Sequence, residues 1–179
     1  MHYITQYFTA QGFWQSVALT FTMWAFLYRF RTSMFALAFL ALPGTAAHEF
    51  AHFSVGCVLR ARPQNFSITP RKNGNSWILG SVSFTHISIY NGAFVAMAPL
   101  LLFPIAWFLL IYVVIPLFNS DRLVFWFLAS YVTSNFLFGC VPSSQDFKVG
   151  GPSIKMYLFY IAIAALGWFG ASFLFSRYF

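Results

Sequence analysis

Acidic residues are nearly absent from this 179-residue chain: it has one Glu (Glu49) and two Asp (Asp121 and Asp146). Any carboxylate chemistry must use one of these three side chains. Charge of either sign is scarce, at 7% of residues against the roughly one quarter that soluble domains carry. So few charges cannot cover a water-facing surface, which excludes a soluble globular protein. With 60% hydrophobic residues the chain also lacks the low hydrophobicity and high charge that disorder requires. Cysteine is rare as well. Cys57 and Cys140 lie in apolar runs, form no zinc-ribbon or disulfide pattern and read as packed thiols. The composition is that of an integral membrane protein. Its net charge of +7 comes from Lys and Arg placed singly or in pairs between apolar runs, so lipid headgroups, not nucleic acid, are the expected partner.

Mainly α structure is expected, with about five transmembrane helices in a single membrane domain over residues 1–179. The spans fall near Gly12–Tyr28, Ser33–Leu59, Asn91–Phe118, Leu123–Val141 and Ile154–Phe175, each close to the roughly 20 residues a helix needs to cross a bilayer. The flank before the first span has no Lys or Arg, and no small-residue cleavage site follows it, so that segment reads as a span and not a signal peptide. Pro43-Gly44 predicts a kink in the second span. Between the second and third spans the pattern changes to period two, most clearly in Ser81-Val82-Ser83-Phe84-Thr85. Arg71-Lys72-Asn73-Gly74-Asn75 supplies turn chemistry, predicting a β-hairpin with strands near Asn65–Thr69 and Trp77–His86. An open sheet edge cannot face lipid, so the hairpin belongs at the interface or in a water-lined cavity. The aromatic residues, Trp14, Trp24, Trp126 and Trp168 among them, read as lipid-facing packing and interfacial belts. Lys and Arg divide six to four between the two sides of a five-span arrangement, which leaves orientation open.

The residues that carry chemistry are His48-Glu49-Phe50-Ala51-His52. In a helix, positions i and i+4 project from one face, so both imidazoles can share a metal, with the intervening Glu beside it. Two imidazoles and a carboxylate suit zinc, leaving a fourth position for water. Glu49 can take a proton from that water and return it to a leaving amine. Random shuffling of this composition gives the pattern on the order of once in 2,000 chains. Ionisable groups within a membrane helix are costly and usually functional. At about 1.5 Å per residue, His52 lies roughly 12 Å below Arg60, the expected interface marker. No second Glu exists to act as third ligand, and Val55 and Val58 stand where the extended metzincin pattern needs Gly and His. Asp146, Asp121, His86 and His2 remain. Asp121 adjoins Arg122 in a short loop, His2 is terminal and His86 ends a strand. Asp146 follows Pro142, which breaks the helix and turns the carboxylate inward, and is preferred.

This order of features, an H-E-x-x-H in a membrane helix, a β-hairpin, a further span and an Asp at the end of the next span, resembles the site-2 protease family of zinc intramembrane metalloproteases. The resemblance covers about Ser33 to Phe147 as the metalloprotease core, with residues 12–28 and 154–175 as additional spans. It implies one zinc per chain held by His48, His52 and Asp146, with Glu49 as general base. It further implies an Asn that steadies the substrate or the oxyanion, for which Asn135 and Asn91 are the candidates. The strand around Ser83 would offer an edge to an extended substrate. Phe147 follows Asp146 where the familiar members have Gly. The expected partners are a membrane-protein or peptide substrate, the bilayer, and an adaptor that selects substrates. The expected location is a bacterial-type cell membrane, crossed several times. Two other classes fit the sequence less well. An inactive membrane scaffold would not need Glu49, and a metal-handling protein would need further ligands along a path.

Overall fold

A computed structural model describes residues 12–30, 38–69, 71–73 and 76–178. The chain is mostly helical, with two short antiparallel strand pairs. In order the elements are α1 (Phe13–Arg29), α2 (Leu42–Val58), β1 (Pro63–Ser67), β2 (Arg71–Asn73), β3 (Ser76–Ile78), β4 (Ser81–Phe84), α3 (Gly92–Ala96), a 3-10 turn (Ala98–Leu101), α4 (Leu102–Leu109), a π segment (Leu110–Val114), α5 (Ile115–Asn119), α6 (Leu123–Gly139) and α7 (Ser144–Tyr178).

Among the described residues, two stretches are long and apolar enough to cross a membrane. These are the composite helix Ala98–Asn119, of 22 residues and mean hydropathy 2.6, and Ser144–Phe169, of 26 residues and mean hydropathy 1.4; Leu123–Gly139 is a shorter apolar helix. Hydroxyls and an amide share the helix interior with apolar side chains such as Leu27, Val95, Val114 and Ile115, and many large apolar side chains face outward. Ser16, Thr20, Ser130, Thr133, Ser134 and Asn135 are buried, whereas Trp14, Phe39, Val124, Leu166 and Trp168 are at least 70% exposed. Small and hydroxyl-bearing residues let helix backbones approach closely where no hydrophobic force drives them together. The hydroxyls close on nearby groups: Ser130 donates to Trp126 O and Thr133 to Ala129 O, while Ser16 Oγ accepts from Trp126 Nε1 at 2.9 Å.

Several boundaries differ from the sequence reading. In the second span the helix is interrupted at Ala41, between helical residues 38–40 and Leu42, just before Pro43. Pro43 stands at the start of α2, because proline is compatible with the first helical turn, where its missing N–H has no partner to lose. Residues 33–37 of that expected span lie outside the described residues. The hairpin is longer and interrupted. β1 pairs with β4 and β2 with β3, so Arg71–Asn73, expected in the turn, is a strand in register with Ser76–Ile78. A register shift between Gln64 and Ser67 separates the two pairs. The last helix begins ten residues before the expected Ile154, since Ser143 and Asp146 cap its first turn. Pro152 lies inside it. Cys57 is exposed, not packed, and Cys140 is half-buried.

Candidate metal centre

The fold gathers four chain segments around α2. Helix α6 crosses α2 at two glycines: a methyl on Gly139 would strike Gly44 O, and one on Gly44 would strike Asn135 O. Only residues without a side chain allow this approach, and it brings the last carbonyls of α6 beside His48. The His48 Nδ1–H donates to Gly139 O at 2.8 Å. One turn along, the His52 Nδ1–H donates to Val95 O, in α3, at 2.7 Å. A carbonyl oxygen can only accept, so both rings carry a proton on Nδ1, and a neutral ring presents a bare Nε2. This is the orienting contact found behind most metal-bound histidines.

The two Nε2 atoms lie 3.1 Å apart. Asp146, in the first turn of α7, completes the group. Its Oδ1 is 3.1 Å from His52 Nε2 and its Oδ2 is 3.4 Å from His48 Nε2. Three donor atoms therefore converge, an arrangement that repels itself unless a proton or a metal ion lies between them. The spacing fits a metal ion. A tetrahedral ion with bonds of about 2.0–2.1 Å sets neighbouring ligand atoms about 3.3 Å apart. His48, His52 and Asp146 are thus a cluster that could hold a metal ion.

Glu49 is 8% exposed and within electrostatic reach of His48, His52 and Asp146. Among the described residues it forms no hydrogen bond or ion pair, which leaves its oxygens free for a guest. The wall it faces is Gly80, in the loop between β3 and β4. A methyl there would lie 2.6 Å from Glu49 Cγ and 3.0 Å from Oε1. Further along, the Phe84 ring seats against Gly56, so β4 follows α2 from Glu49 toward its C-terminal end. β4 pairs with β1 on one edge, and among the described residues no strand pairs with its other edge.

The other sequence candidates lie elsewhere. Asn135 is fully buried, and both ends of its amide are engaged: Oδ1 accepts from Gly44 N at 3.2 Å and Nδ2 donates to Tyr131 O at 3.1 Å. Here it fastens α6 to α2. Asn91 shapes the turn before α3, accepting from Ser88 N at 2.7 Å and donating to His86 O at 3.0 Å. Ser83 lies on β4, where its hydroxyl donates to Gln64 O on β1 at 3.0 Å. His86 is exposed beside Thr85, Asp121 is exposed in a turn, and neither joins the cluster. His2 lies outside the described residues. Sequence reasoning missed Gly139, Val95, Gly80 and Ser143. Only Ser143 left a readable signal, the Ser-x-x-Asp spacing of a helix cap. Comparison of the chain with family models, with curated proteins and with solved structures gives no match.

Proposed function

We propose that this chain is a multi-pass membrane zinc endopeptidase of the site-2 protease type, hydrolysing peptide bonds in membrane-embedded substrate segments. The observation that carries the reading is the convergence of His48 Nε2, His52 Nε2 and a carboxylate oxygen of Asp146, each imidazole locked in the ligating tautomer by a carbonyl. A free, buried carboxylate stands next to it. Zinc, when bound, supplies Lewis acidity that makes a water nucleophilic near neutral pH and polarises a carbonyl. Glu49 takes a proton from the attacking water and later delivers it to the leaving amine. His48, His52 and Asp146 hold the ion, and the Gly80 wall confines the Glu49 carboxylate.

A scissile bond within a helix is shielded by its own hydrogen bonds, so the substrate must unwind and present an extended backbone. The unpaired edge of β4 offers such a segment main-chain partners, and it leads toward Gly80 and Glu49. Membrane residence is supported by the apolar outer surface, the hydroxyl-lined helix contacts and the two long apolar stretches. The five-span arrangement belongs to the same proposal.

The test is cleavage of a transmembrane-helix substrate by purified protein in detergent or nanodiscs, with metal content measured in parallel. Wild type should hold about one zinc per chain and cleave. His48→Ala should lose both properties, whereas Glu49→Gln should keep the metal and lose cleavage. Cleavage retained by Glu49→Gln would overturn the reading.

A further inference from the structure

Asp146 serves two structures at once. As the third residue of α7's first turn it accepts the Ser143 backbone N–H on Oδ2 at 2.5 Å, while its own N–H donates to Ser143 Oγ at 3.2 Å. This reciprocal pair is a helix capping box. The same carboxylate points Oδ1 at His52 Nε2, 3.1 Å away, and Oδ2 stands farther from His48 Nε2, at 3.4 Å. Pro142, just before the cap, restricts the backbone leading into it. The contact from Ser143 is charge-assisted and short, so it occupies lone-pair capacity on Oδ2 that a metal would otherwise compete for.

We propose that Ser143 is a positioning residue of the metal centre: its cap on Asp146 fixes the carboxylate so that Oδ1 is the oxygen offered to the ion. The inference rests on the metal-binding reading above and deepens it. The ligand's orientation is set by the start of a helix, and the start of that helix is coupled to metal occupancy. An Asp free of the cap could rotate about its side-chain bonds and present either oxygen. The capped Asp has already lost that freedom, so less is lost on binding. Contacts that orient metal ligands in this way are typically worth about 10–100-fold in affinity.

The experiment is zinc titration of the detergent-solubilised full chain against a competing chelator, for wild type, Ser143→Ala and Ser143→Thr. Alanine keeps the backbone N–H that reaches Oδ2 but removes the hydroxyl that receives the Asp146 N–H, the half of the cap that holds the two residues in register for that contact; threonine retains both. Zinc affinity should fall about 10-fold or more in Ser143→Ala and return to within about 3-fold of wild type in Ser143→Thr. A hydroxyl that served the helix alone would lower thermal stability in Ser143→Ala and leave zinc affinity unchanged, and that result overturns the inference while the metal reading stands. Absence of zinc binding by wild type overturns both. If Ser143→Ala does not fold, amide hydrogen exchange on wild type decides. Zinc should slow exchange of the Ser143 and Asp146 amides several-fold, and equal exchange with and without zinc overturns the proposal.

Discussion

At the scale of single side chains, the centre is governed by which atoms carry hydrogen. The carbonyls of Gly139 and Val95 take the Nδ1 protons, so a proton and a metal compete for the same Nε2 lone pairs. Metal affinity should therefore fall as pH falls, with occupancy in a fixed chelator buffer dropping as the buffer is taken from neutral to acidic. Equilibrium dialysis across that range checks it, and occupancy independent of pH would place the ion elsewhere. Replacing Asp146 with Ala removes the third donor and should loosen zinc strongly, a loss measured by the same dialysis. Replacing Glu49 with Gln keeps the size of the side chain but removes the base. The cleavage rate should drop by roughly 10²–10⁴-fold, with zinc content unchanged. The His48–His52–Asp146 cluster was legible in the sequence because helical spacing alone pairs His48 with His52, and only three acids were available. The amide roles were not legible. Nothing in the spacing of Asn135 or Asn91 says that the first is consumed between Tyr131 O and Gly44 N and the second within a turn.

Elements meet here through their smallest residues. The α2–α6 crossing depends on Gly44 and Gly139, and the position of Gly139 O, the partner of His48, depends on the crossing. Gly139→Ala should force the helices apart, costing about 1–3 kcal/mol of stability, and should weaken zinc binding although the residue ligates nothing. Thermal unfolding and zinc titration of the same variant read the two effects together. Gly80→Val should drive the Glu49 side chain from its place. Cleavage would then fall while zinc remains, as for Glu49→Gln, though the acid is intact. The period-two pattern revealed the strands but not their nesting. The polar run at 71–75 reads as a turn, yet Arg71–Asn73 pairs with Ser76–Ile78. The Arg71 side chain also reaches Ser81 Oγ at 2.8 Å, a contact between residues ten apart that no local pattern encodes. Helix ends were misread for a similar reason: hydropathy marks the apolar stretch of α7, whereas its polar beginning is set by the Ser143 cap.

Across the described residues many large apolar side chains face outward, while hydroxyls share the interior with apolar side chains such as Leu27, Val114 and Ile115. Such a surface fits the proposed membrane residence. Expressed in cells, the protein should stay with the membrane fraction through alkaline carbonate extraction, and release into the supernatant would contradict the embedded reading. The cluster also has a consequence for connectivity. His52 and Asp146 are adjacent in space and 146 − 52 = 94 residues apart in the chain. An ion shared by them is a cross-link closing a very long loop. For a chain unfolding in water, a covalent tie closing a loop of about 100 residues is worth about 4.7 kcal/mol in chain entropy. A membrane chain keeps its spans inserted when packing fails, so less entropy is at stake. The direction is the same: if the cluster holds an ion as proposed, the loaded protein should resist dispersal of its helices, and chelation should free α7 to part from α2.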